Sequence, residues 1–199
     1  MVAPTLYRLG DSLRAWAEGV LDLAGRGPFV LVGNSVGGSC ALEVARLAPG
    51  AVRHLVLVGA KAGHRPEPML CERAVSTLRV QGVAAAWSTF WEPLIAPDAD
   101  DQVRDRLRRN ALSQSADDLT TGVRAFHSRP DRSAFLAAWL GPVTVVSGQY
   151  DVAPKRDALQ ASVLRAGRFA LLPGSGHYAP LEAPDGLARV IREAVVGGS

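Results

Sequence analysis

The sequence predicts an α/β fold, a mostly parallel sheet flanked by helices, with a helical insertion between two of its strands. Three observations carry this reading. Short continuous apolar runs recur at Phe29-Val30-Leu31-Val32, His54-Leu55-Val56-Leu57-Val58-Gly59, Val143-Thr144-Val145-Val146 and Phe169-Ala170-Leu171-Leu172, the pattern of strands covered on both faces. Helix-compatible stretches alternate with them, which implies parallel strands joined by right-handed crossovers. The first run ends in a glycine-rich turn, Gly33-Asn34-Ser35-Val36-Gly37-Gly38, that leads straight into a helical stretch.

Leu9, Leu13, Trp16, Val20 and Leu21 recur at helical spacing with Asp11 or Ser12 near the start, so residues 9–24 read as an amphipathic helix. Gly25-Arg26-Gly27-Pro28 stops it, and the first strand follows. Residues 39–47 read as a helix closed by Pro49-Gly50, and the second strand as 54–59. Residues 61–139 are polar, helical in character and rich in turns, and carry Trp87, Trp91 and Trp139. A stretch that long between two strands reads as a lid or cap. The expected division is therefore a core of 1–60 and 140–199, with 61–139 as the insertion. In the second half, a helix over 155–166 joins the last two strands, and a helix over 184–196 ends the chain.

Composition narrows the function. A chain of 199 residues, 48% apolar and 21% charged, fits one globular domain. No apolar run reaches the roughly 18 residues of a membrane span, and no apolar stretch follows a basic start, so the expectation is a cytoplasmic protein with no membrane partner. The net charge of +3 is spread out. Its densest group, Arg104, Arg106, Arg108 and Arg109, alternates with Asp100, Asp101 and Asp105, as a solvated helix face would, so no nucleic-acid partner is expected. Cys40 and Cys71 read as reduced thiols. No His or Cys cluster has ligand spacing, so no metal is expected. His54, His64 and His127 read as structural or solvated.

Gly33-Asn34-Ser35-Val36-Gly37 fits G-x-S-x-G, and it lies between a strand and a helix, where that motif builds a nucleophile elbow. Cofactor readings fail on single residues: a P-loop needs lysine where Ser39 stands, and a dinucleotide fingerprint needs glycine at Ser35. A serine needs a base, and the base needs an orienting carboxylate. Ser147-Gly148-Gln149-Tyr150-Asp151 follows the third strand, and Gly174-Ser175-Gly176-His177-Tyr178 follows the fourth. Parallel strands bring all three loops to one carboxyl edge. Trp87, Phe90 and Trp91 share one helical face, as core packing does. Over Ser35, such a face would favour a small-molecule substrate with a hydrophobic acyl or ring-bearing group. Glu182 and Asp185 read as introducing the last helix.

Taken together, Gly33-Asn34-Ser35-Val36-Gly37-Gly38, Gly148-Gln149-Tyr150-Asp151 and Gly176-His177-Tyr178-Ala179-Pro180-Leu181-Glu182-Ala183-Pro184 resemble the α/β-hydrolase superfamily from about residue 9 to the end. The resemblance implies Ser35 as nucleophile, His177 as general base and acid, Asp151 as the carboxylate holding its tautomer, and the Val36 N–H as an oxyanion donor. Asn34, Trp87, Trp91 and Tyr178 are the candidate substrate contacts. The implied activity is hydrolysis of an ester, lactone, thioester or activated C–C carbonyl through an acyl-enzyme. Its alternatives are a lyase or cyclase that uses His177 as a base, and a catalytically impaired relic that serves as a binding protein.

In that superfamily four strands and a helix precede the nucleophile strand, on the order of sixty residues; here it begins at residue 29. The sequence therefore predicts a nucleophile strand at the sheet edge, free to pair with a second copy of the chain. It also predicts a missing second oxyanion donor, a loss of about 10²- to 10³-fold in rate.

Overall fold

The computed structural model describes residues 1–25 and 27–197. Its sheet has four parallel strands in the order β1 (Phe29–Asn34), β2 (Val52–Val58), β3 (Val143–Gly148) and β4 (Gly167–Leu172). Helix α1 (Leu13–Ala24) precedes β1, and α2 (Val36–Leu47) crosses from β1 to β2. Between β2 and β3 lie α3 (Pro68–Val80), α4 (Gly82–Ala86), a π-helical turn Trp87–Trp91, α5 (Asp101–Leu112), α6 (Ala116–His127) and α7 (Ser133–Ala137). Helix α8 (Pro154–Ser162) joins β3 to β4, and α9 (Ala179–Glu182) and α10 (Pro184–Val196) follow.

The continuous apolar run of β2 is explained by its place in the middle of the sheet. Leu55 and Leu57 face a core built with Leu13, Trp16, Ala17, Leu42 and Val44, while Val56 and Val58 face Leu172, Leu187 and Ala194 on the opposite side. Alternate residues of one strand thus fill two cores. Among the described residues strand β1 pairs with β2 alone, and its Val32 is 38% exposed. None of the strands that the resemblance puts ahead of the nucleophile strand is among the described residues. No described helix is long and apolar enough to cross a membrane.

Several boundaries differ from the sequence reading. The helix expected over 9–24 breaks into a 3₁₀ turn, Leu6–Leu9, and α1, because Gly10 turns the chain at φ +125° and extended Ser12 caps α1, its hydroxyl accepting from Ala15 N–H at 3.3 Å. Trp16 is still anchored to the break, its indole N–H donating to the Gly10 carbonyl at 2.7 Å. Arg26, part of the expected stop signal, lies outside the described residues. Helix α2 starts at Val36, three residues early, since the turn at Ser35 opens directly into it. Helix α8 stops at Ser162 so that Gly167 can enter β4 against the Ala161 carbonyl. The arginines of α5 are not uniformly solvated: Arg104 donates to the carbonyls of Ala96 and Pro97, both at 2.7 Å, and of Ala99 at 3.3 Å. Both cysteines are free thiols, and burial followed by the Glu43 charge pushes Cys40 up to about 12.

His54 lies buried between β2 and β3, its Nε2 2.8 Å from Thr144 Oγ1. Burial, with help from Arg168 and Arg53, holds its pKa below the ordinary value of 6.5. A depressed folded value means that the neutral ring's contribution is complete above the unfolded pKa of about 6.5 and is lost as pH falls toward the folded value. Urea midpoints at pH 7.5 and 5.5 should therefore fall further for the native chain than for His54→Gln; parallel losses would remove His54 as the cause.

Candidate active site

Ser35 adopts φ 54° and ψ −119°, and it is the one non-glycine residue with positive φ among those described. Such a conformation costs on the order of 1–3 kcal/mol and persists only where its surroundings over-determine it. They do so here. Ser35 N–H donates to Val58 O at 2.9 Å, and Ser35 O accepts from Gly38 N–H at 2.9 Å. A Cβ on Gly33 would sit 2.6 Å from Gly38 Cα, and one on Gly38 would strike the Ala60 side chain. The glycines of the motif therefore let α2 ride against the end of β1. Val36, as the first residue of α2, has an N–H with no acceptor inside the helix.

Asp151 follows β3. Its turn is fixed by Tyr150 N–H donating to Ser175 O at 2.9 Å, Gln149 N–H to Leu172 O at 3.0 Å, and Gly174 N–H to the Gln149 side-chain oxygen at 3.0 Å. Gly148 permits this, since a Cβ there would lie 2.5 Å from Ser175 O. The β3 and β4 loops are thus laced together before any side chain of the site is considered. On that base Asp151 Oδ1 stands 2.9 Å from His177 Nδ1, with the two side chains 4% and 13% exposed. Burial alone raises the Asp151 carboxyl. The hydrogen bond and charge of His177, the Val152 N–H and the Arg156 charge outweigh it, so the group lies below the ordinary carboxylate range. With Nδ1 engaged, Nε2 is the free nitrogen of the ring.

Asn34 ties the serine turn to the histidine loop, its side-chain amide donating to Val58 O at 3.1 Å and to His177 O at 3.2 Å. Among the described residues no hydrogen bond joins Ser35 Oγ to His177. Both of Asn34's amide hydrogens are used internally, so the geometry gives it a bracing contact rather than an open one. Trp87, Trp91 and Tyr178 meet in one apolar cluster with Ile95 and Leu107. Trp87 is buried, 6.2 Å ring to ring from Tyr178, whose hydroxyl donates to Trp91 O at 3.0 Å. These three join the insertion to the histidine loop. A groove of about 660 Å³ runs along α3 past Met69, Arg73 and Gln81 and touches none of the residues at the sheet edge.

Two residues of the site escaped the sequence reading. Gly59 has φ +53°, and a Cβ there would come within 2.6 Å of Asp151 Oδ2 and 3.1 Å of His177 Nδ1, so its bare Cα forms the floor under the acid–imidazole pair. Glu182, expected to introduce the final helix, instead accepts from Ala96 N–H at 2.6 Å and Tyr178 N–H at 2.7 Å. Both its oxygens are committed upstream, away from α10. Its spacing from His177 is the one signal the sequence held.

Residues 3–190 match the alpha/beta hydrolase family. The chain belongs to that family. Solved structures share the fold. A thermophilic esterase from Thermogutta terrifontis, crystallised with malate bound, matches with a TM-score of 0.84 at 24% identity, over 94% of this chain and 73% of its own. An enol-lactonase from Burkholderia xenovorans matches at 0.82 and 16%, over 93% and 73%. A bromoperoxidase from Bacillus anthracis matches at 0.78 and 16%, over 94% and 75%. The comparison with curated proteins found no match.

The glycine floor of this alpha/beta hydrolase is testable by stability alone. Gly59→Ala should lose about 1–3 kcal/mol in denaturant unfolding, from a positive φ and an occupied Cβ position. Gly50→Ala, with open space around its Cα, should stay within about 0.5 kcal/mol of the native chain. Equal losses at both positions would refute the close-approach account.

Proposed function

We propose that this chain is a serine hydrolase that cleaves a small-molecule ester, lactone, thioester or activated C–C carbonyl through an acyl-enzyme. The observation that supports the reading is an imidazole whose Nδ1 is already held by an ionised Asp151, on a loop that Asn34 ties to the turn of the strained Ser35. Strain at a half-buried strand–helix turn is the geometry that presents a nucleophile Oγ, and the carboxylate fixes the tautomer that leaves Nε2 as the base.

In this reading Ser35 Oγ attacks the carbonyl carbon while its proton passes to His177 Nε2. The carbonyl oxygen takes up the negative charge against the Val36 N–H and the positive end of α2. As the tetrahedral adduct collapses, the bond to the leaving group breaks and the His177 proton goes to that group. Water then adds to the acyl-enzyme with its proton on His177, and a second collapse returns the proton to Ser35 and releases the acid. Asp151 remains a carboxylate throughout, as its lowered pKa requires. The names of the Thermogutta esterase and the Burkholderia enol-lactonase support ester and lactone carbonyls as the first substrates to try. The apolar cluster of Trp87, Trp91 and Tyr178 favours an acyl or ring-bearing group that lies against its half-buried members.

The test is covalent. A fluorophosphonate should label the native chain stoichiometrically at Ser35 and leave Ser35→Ala unlabelled. His177→Ala and Asp151→Asn should slow labelling by factors on the order of 10³–10⁴. No labelling of the folded native chain at high probe concentration would overturn the reading. A turnover that survives Ser35→Ala but not His177→Ala would replace it with base catalysis by His177 alone.

A further inference from the structure

We propose that Glu182 is a positioning residue for His177, holding the histidine loop against segment 91–96 of the insertion; this rests on the serine-hydrolase reading above. The imidazole is fixed on its ring side by Asp151, but a ring is no better placed than its backbone. The His177 backbone is fixed from two directions: its N–H donates to Leu94 O at 2.9 Å, and its carbonyl accepts from Asn34. The next residue is fixed by Glu182, whose Oε2 accepts from Tyr178 N–H at 2.7 Å, and by the Tyr178 hydroxyl on Trp91 O. The other Glu182 oxygen reaches Ala96 N–H at 2.6 Å. One carboxylate thus cross-links the residue after the histidine to Ala96, which lies 86 positions from Glu182 in sequence, through short charge-assisted bonds of the stronger kind.

The approach is built for this contact. A Cβ on Gly176 would lie 2.6 Å from both Ala96 N and Leu94 O, so only glycine lets the loop sit there. Half of the Glu182 contact resembles ordinary capping of the one-turn α9, since Tyr178 is that turn's first flanking residue. The half that reaches Ala96 has no such local role. Ala96 is fully buried, so losing the carboxylate strands its N–H without solvent to replace the acceptor.

The experiment uses Glu182→Gln, which keeps the volume and one acceptor, and Glu182→Ala, which keeps neither. Three readouts apply: the fluorophosphonate labelling rate, kcat and KM on p-nitrophenyl butyrate, and the downfield proton resonance of His177 Nδ1–H, identified by its loss in His177→Ala. Labelling rate and kcat should fall together, by about 10-fold in Glu182→Gln and about 100-fold in Glu182→Ala, as expected for an ångström-scale misplacement of a base. KM should stay within about twofold, and the resonance should broaden or vanish. A variant that melts earlier yet keeps the resonance and the native labelling rate would overturn the proposal, as would a rise in KM at unchanged kcat. Should Glu182→Ala fail to fold, Glu182→Gln decides. A native chain that shows the resonance but takes no label sinks the hydrolase reading, and the resonance alone then judges Glu182.

Discussion

The closeness with which α2 approaches the end of β1 is the constraint on which the candidate site depends. With Cβ atoms at Gly33 and Gly38 the helix would have to move outward, and Ser35 would relax into an ordinary backbone conformation. With glycines the chain passes from strand to helix in one residue, and that residue is left at φ 54°. The strain is borne by bonds that other parts of the fold supply: the β1–β2 ladder, Ser35 N–H on Val58, and Asn34 bridging to Val58 and His177. The same approach points the first amides of α2, and the positive end of its dipole, at the space beside Ser35.

This arrangement makes β2 the strand that sets the site, although it contributes no catalytic candidate. Its Val58 carbonyl receives both Ser35 N–H and Asn34, and its successor Gly59 forms the floor below Asp151 and His177. Because β1 is an edge strand, the Ser35 turn is held from the β2 side alone. Burial of β2 in two cores, Leu55 and Leu57 on one face and Val56 and Val58 on the other, makes that one-sided support stiff.

What the sequence revealed and what it concealed divide along the range of the interactions. Apolar runs expose strands because every residue of β2 and β3 reports its own burial, and α10 matches its expected limits because its apolar spacing and Pro184 are local signals. The serine turn is legible because sterics demand glycines within three residues of it. The break at Gly10, the work of Arg104 and the clamp of Glu182 are not legible. Each depends on backbone groups that meet only in the fold: Trp16 with Gly10 O, Arg104 with the carbonyls of 96–99, Glu182 with Ala96 N–H. A charged residue that satisfies a distant backbone group leaves no periodicity, so Arg104 reads as one member of a solvated arginine row and Glu182 as a helix-entry acid.

Two of the hydrogen-bonded contacts that hold the insertion to the sheet bear on how it can move. Near one attachment, Arg132 donates to buried Glu43 on α2 while its own N–H holds Ala62 O, and Arg46 completes the pair at 3.0 Å. Burial alone would raise the Glu43 carboxyl, but the two arginines outweigh it and keep it charged. Separating Arg132 from it would leave this enclosed carboxylate with Arg46 as its remaining partner. At the other attachment stand the bonds of Leu94 and Ala96 to the histidine loop. A rigid swing of the whole insertion would break both sets at once and release His177 with them. The segments nearest the sheet are therefore held to it by backbone bonds, and α5 and α6 are tied to the same body through Leu107 against Tyr178 and Leu181 and through Ala125 in the main core.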